Sequence, residues 1–181
     1  LVERRLWRAV GEVLKRGVSD SVKRWAVKEA CVTSYQFCIT QHILPHCPDD
    51  QLVSVLTTLV ERRLWGAVGE VLKRGVSDSV KRWAVKEACV ASDQNSITQH
   101  ILPLCPDDQL DSVLTTLVER RLWIDVCEVL ERGVSDSVKQ WAVEKACKHY
   151  ESDDEGEEYI TKIILPHCAD DQLDSVLKTL V

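Results

Sequence analysis

The sequence predicts an all-α fold built from about three copies of one 58-residue unit. Three observations carry this. The heptapeptide LVERRLW begins at Leu1, Leu59 and Leu117, a step of 58 residues each time. Residues 1–58 and 59–116 differ at only seven positions: Arg8/Gly66, Thr33/Ala91, Tyr35/Asp93, Phe37/Asn95, Cys38/Ser96, His46/Leu104 and Val53/Asp111. Apolar residues recur at helical spacing through every copy, and no segment alternates with period two. The third copy, residues 117–179, is more divergent and carries five extra residues between Cys147 and Ile160.

Each copy reads as four short helices, or two helical hairpins. Pro48-Asp49-Asp50 opens the first, because proline suits a helix start and acids favour its positive end. Leu52, Val55, Leu56, Leu59 and Val60 then form one apolar stripe, and the helix ends near Arg63-Leu64. Trp65, Val68, Val71 and Leu72 form a second stripe, closed by Lys73-Arg74-Gly75 with cations in the last turn and glycine at the stop. Ser77-Asp78-Ser79 offers capping oxygens to a third helix whose stripe is Val80, Trp83, Ala84 and Ala88. Val90 to Ser96 reads as a polar loop. A fourth short helix covers about Ile97 to Leu102, and Pro103 and Pro106 punctuate the residues after it. Both tryptophan sets, Trp7/Trp65/Trp123 and Trp25/Trp83/Trp141, fall on these stripes and are expected in the core.

The paired stripes around Trp65, Val68, Val71, Leu72 and Val80, Trp83, Ala84 resemble those of the α-solenoid class, the HEAT and tetratricopeptide-like arrays. The tetratricopeptide signature itself is absent, so the resemblance is one of architecture. It implies a right-handed α-solenoid of stacked helical hairpins spanning residues 1–181. It also implies a non-catalytic scaffold that binds a protein or peptide partner.

Composition narrows the function classes. Net charge is −6 and unevenly spread: +2 over residues 1–58, −1 over 59–116 and −7 over 117–181. Basic residues alternate with acids along each helix, which is unlike the concentrated basic face of a nucleic-acid binder. No apolar run approaches the ~20 residues of a membrane span, and no signal-peptide pattern is present. A cytoplasmic location is expected. No phosphate-binding glycine loop, G-x-S-x-G or H-E-x-x-H occurs, and no acid–base pair keeps one relative position through all copies, so no enzyme is expected.

Cys31/Cys89/Cys147 and Cys47/Cys105/Cys168 recur, while Cys38 and Cys127 occur once each. There is no C-x-x-C pair. The cluster His42, His46, Cys47 becomes His100, Leu104, Cys105 and then Ile163, His167, Cys168, a ligand set that dissolves between copies. No metal and no cofactor are therefore expected. The recurrent thiols read as small buried groups, with disulfides as the alternative in an extracellular setting.

The segment between the third and fourth helices gathers four of the seven differences and the insertion. It is the candidate partner-contact loop: Thr33, Tyr35 and Phe37 in the first copy, Asp93 and Asn95 in the second, and Tyr150, Glu151, Asp153, Asp154 and Glu155 in the third. Ser152, followed by Asp-Asp-Glu, is a candidate phosphosite. The insertion is no EF-hand, since aligning Gly156 to the invariant glycine puts Lys162 where the bidentate Glu belongs. The helix halves at Leu1–Leu6 and Gln172–Val181 are complementary. They suggest a piece of a longer array and head-to-tail self-association. A structural spacer or self-assembling element is the alternative function, and a Cys/His metal or redox module a weaker one.

Overall fold

Very short helices cannot hold themselves in water, so the architecture is set by the surfaces each one packs against. The computed structural model describes residues 6–91, 97, 99–149, 165–168, 173 and 178, and among these the secondary structure is entirely helical, with no strand. Contacts divide the chain into two compact units, Leu1–Leu104 and Cys105–Val181. No described helix is long and apolar enough to cross a membrane.

In the first unit α1 (Trp7–Lys15) and α2 (Asp20–Thr33) are followed by a one-turn α3 (Gln36–Cys38). This runs on into a π-helical turn, Ile39–Ile43, and a 3₁₀ turn, Leu44–His46. A 3₁₀ turn at Asp49–Gln51 then leads into α4 (Leu52–Glu61), α5 (Trp65–Lys73) and α6 (Asp78–Ala91). The second unit holds α7 (Leu110–Glu119), α8 (Trp123–Glu131), α9 (Asp136–His149) and a 3₁₀ turn at Leu165–His167. The helices that begin at Trp7, Trp65 and Trp123 are 58 residues apart, as the sequence period requires.

The apolar stripes read from the sequence are buried for α4 and α5: Leu52, Val55, Leu56, Leu59 and Val60, then Trp65, Val68, Val71 and Leu72. The stripe of α2 and α6 is displaced. The buried residues of α6 are Ala84, Val85, Ala88 and Cys89, and Trp83 lies at the edge of that face, partly exposed. The buried face of α6 is made mostly of small residues, and the helix packs against α4. The serine caps also differ from expectation. Ser19 makes no side-chain cap to the α2 backbone; its hydroxyl meets that of Ser21 at 3.0 Å.

The segment read as a loop is partly helical. Thr33 ends α2, with its Oγ1 donating to Glu29 O at 2.7 Å, Tyr35 precedes α3, and Phe37 lies within it. The π-helical turn then passes across α1. Gly11 permits this, because a Cβ there would fall 2.7 Å from His42 O, and Gly69 stands in the same relation to His100 O.

Two arginines tie successive helices of the first unit together. Arg62 donates to the carbonyls of Cys31 and Ser34 at the end of α2. Arg74, just past α5, donates to Leu44 O at 2.7 Å and Cys47 O at 2.7 Å and pairs with Asp49 at 2.6 Å. Within the second unit Arg132 repeats this, reaching Cys105 O at 2.8 Å and Asp107 at 2.9 Å. That unit has a tie of its own: Asp111 accepts from the Ser135 N–H at 3.0 Å and its hydroxyl at 2.6 Å. Val53 occupies the equivalent place in the first copy and is exposed.

The two ends of the Arg74–Asp49 pair should respond unequally to substitution. Arg74→Ala lowers unfolding free energy by about 2 kcal/mol, since it strips a charged donor from two part-buried carbonyls. Asp49→Asn, at a carboxylate almost fully in water, changes it by less than about 0.5 kcal/mol; denaturant titration of both variants checks the contrast. The two Ser135 hydrogen bonds hold the Asp111 carboxyl below its ordinary value. Its contribution is therefore complete above about pH 4 and fades as pH falls through the lowered native value. The unfolding midpoint of Asp111→Val should accordingly differ from that of the parent at neutral pH and converge with it in acid.

Candidate interaction surface

The first two copies share nearly one sequence, so the same helix can be compared in two settings within the first unit. On α5, the face bearing Gly66, Ala67 and Val71 is buried, with α3 and the Ile39–Ile43 turn packed on it. The Gly66 N–H donates to Gln36 Oε1 at 3.1 Å, and a Cβ on Gly66 would lie 2.2 Å from Gln36 Nε2. Glycine is the residue that permits the approach. On α1 the corresponding residues are Arg8, Ala9 and Val13, and this face is open: Val13 is 42% exposed where Val71 is 0%. Leu6, at the place of Leu64, is 47% exposed.

The open face forms one wall of an apolar cleft of about 530 Å³, lined by Leu6, Trp7, Arg8, Ala9, Glu12, Cys38 and His42. Its counterpart on α5 is a cleft of about 290 Å³ bordered by Gly66, Glu70 and His100, with Gln36, Thr40 and Gln41 supplied from the first copy. The α1 cleft is thus the same recess without the segment that lies against it on α5. The buried Trp7 Nε1 has no hydrogen-bond partner among the described residues.

Beside this cleft stands the variable segment. Tyr35 is 78% and Phe37 69% exposed, and the Phe37 ring meets His42 edge-on with centroids 6.3 Å apart. These are the two aromatics that the repeat pattern singled out, and they sit close in the chain to exposed Val32. Of the other proposed contact residues, Thr33 is committed to the α2 backbone. Asp93, Asn95, Tyr150, Glu151, Ser152, Asp153, Asp154 and Glu155 lie outside the described residues.

The tryptophans divide into two kinds. Trp7, Trp65 and Trp123 are buried as expected. Trp25, expected in the core, is 53% exposed, and Trp83 and Trp141 are also not buried. In the second unit Trp141 joins Glu119, Arg121, Lys145 and Lys148 around a cleft of about 430 Å³.

None of the eight cysteines forms a disulfide. Burial, with a smaller contribution from the neighbouring Cys47 thiol, pushes Cys31 up to about 12. Burial pushes Cys47, Cys105 and Cys147 up to about 11. Such groups are protonated and inert at neutral pH. His46 is held below its usual value by burial first and then by the cations Lys15 and Lys23, which also repel any metal there. Among the described residues no three His, Cys, Asp or Glu side chains gather as a metal site. Cys38 and His42 both line the α1 cleft, on its wall opposite the open helix face.

Comparison with known proteins finds no matching family model, no matching curated protein and no matching solved structure.

Sequence reading missed the arginines. Arg74 appeared only as a cation closing a helix, and Arg132 was not singled out. A usable signal was present: the residue before them changes from Lys73 to Glu131 while the arginine stays.

The two tryptophan classes predict different responses. Trp7→Ala should cost about 3–5 kcal/mol, as for other buried aromatics. Trp25→Ala should cost less than about 1 kcal/mol. Chemical unfolding monitored by circular dichroism separates the two.

Proposed function

We propose that the chain is a non-catalytic protein–protein interaction scaffold, a stretch of right-handed α-solenoid that acts in the cytoplasm. One observation carries the reading. The first two copies are almost identical, yet their differences gather where Tyr35 and Phe37 stand exposed beside an apolar cleft. Core packing does not account for two aromatic side chains in water, whereas aromatics of this kind anchor interfaces. Cysteines without disulfides, several of them with burial-raised thiols, are consistent with a reducing compartment.

A structural or self-assembling element is the second reading. The near-identity of the first two copies favours it, since duplication with little divergence suits a unit whose partner is itself.

Replacing Tyr35 and Phe37 by the second copy's residues (Y35D, F37N) tests the scaffold reading. Photo-crosslinking from the Tyr35 position identifies the partner it touches, and the double variant should then bind that partner at least tenfold more weakly with unchanged helicity. Equal binding by both proteins would remove this surface from the function.

A further inference from the structure

We infer that the cleft between the end of α7 and the face of α9 in the second unit is a binding site for a carboxylate-rich segment of a partner protein. It stands apart from the Tyr35 and Phe37 surface and uses charges that only the third copy brings together.

Helix geometry places the basic groups. Trp141, Lys145 and Lys148 follow one another at helical spacing, so α9 turns all three to one side. Glu119 closes α7, and Arg121 stands in the turn before α8. Arg121 holds a left-handed φ of 60°, which glycine adopts more readily, so the turn keeps a cation where a smaller residue would fold with less strain. These five residues border one cleft of about 430 Å³, within the range of ligand sites.

The second copy shows what is new here. Its corresponding residues are Glu61, Arg63, Trp83, Glu87 and Val90, one cation against two carboxylates, a net −1. In the third copy three cations stand against Glu119 alone, a net +2. Two changes produce this. Lys86-Glu87 becomes Glu144-Lys145, which preserves the charge of that helical turn and moves the cation to the cleft. Val90 becomes Lys148. Residues 117–181 carry −7 as a whole, so the cleft is positive against the trend of its own copy.

The cations are also available. In the first unit Lys15, Lys23, Lys73 and Lys81 each lie on a carboxylate three residues away. Lys145 and Lys148 are exposed and, like Arg121, form no ion pair among the described residues. Glu144, the adjacent acid, accepts from Gln140 Nε2 at 3.2 Å instead. Trp141 is partly exposed and offers an indole wall that an apolar side chain can cover. A net +2 with Glu119 inside the cleft suits spaced carboxylates interleaved with apolar side chains. A nucleic-acid backbone would need a longer basic stripe.

Fluorescence anisotropy of a labelled peptide alternating Asp or Glu with Leu, titrated with the full 181-residue chain, is the test. The peptide should bind, its Asn and Gln counterpart should not, and added salt should weaken binding. Lys145→Glu and Lys148→Val restore the second copy's residues, and each should weaken binding at least about fivefold with unchanged circular dichroism. Lys86→Glu, the same charge change as Lys145→Glu but on α6, should leave binding unaltered. Amide shifts on peptide addition should gather within residues 118–148. Absence of binding, equal binding by all three variants, or shifts confined to other residues overturns the inference. Tighter binding of a single-stranded oligonucleotide in the same cleft overturns its assignment to a protein segment. The Y35D, F37N variant should take the peptide as the parent does, so failure of the Tyr35 and Phe37 surface and failure of this site are read separately.

Discussion

A turn such as Leu44-Pro45-His46-Cys47-Pro48 poses a hydrogen-bonding problem. Its prolines prevent the helix from continuing, and Pro48 supplies no N–H of its own, so the Cys47 carbonyl, and the second lone pair of a Leu44 carbonyl that already accepts from the Cys47 N–H, take donors from elsewhere. Arg74 supplies both from one planar group, placed just beyond a glycine-compatible contact and just before a helix stop. This requirement fixes where α5 must end relative to the preceding turn. Once that end is fixed, so are the length of α5, the approach of Gly66 to Gln36 and the burial of Val71. The Asp49 partner adds little, because its carboxylate is in water.

Close approach is the second constraint, and it shows why parts of the fold were legible and others were not. The long aliphatic stripes of α4 and α5 were readable because Leu and Val at helical spacing have few places to go. The face of α2 and α6 was misread because Trp25 and Trp83 outweigh alanine on any hydrophobicity count. Packing there is governed by size instead. Ala26, Ala30 and Cys31 occupy the tight contact, and the bulky ring is displaced to the rim. Likewise α3 is only one turn long and includes Phe37 between polar or small neighbours, so its periodicity could not be told from a loop.

The candidate site was half visible. Differences between near-identical copies pointed directly at Tyr35 and Phe37, since a duplicated unit reveals its free positions by where it changes. The recess beside them was not visible, because it consists of the absence of a neighbour on α1, and its wall is made of residues whose copies on α5 are ordinary core. The role of Arg74 was hidden for a different reason. A cation after a helix looks like a favourable charge at the negative end, and only the contacts of Arg74 show that the same residue can join one turn to the next.

The joint also has a consequence for how such a sequence changes over generations. Donor and acceptor both belong to the repeated text, with the arginine always the same distance behind the turn it holds. Unequal recombination that removes or adds one whole copy therefore re-forms an equivalent joint at the splice, with no new pair of residues to be selected. Gain or loss of 58 residues is then gentler to the fold than a single insertion inside a helix.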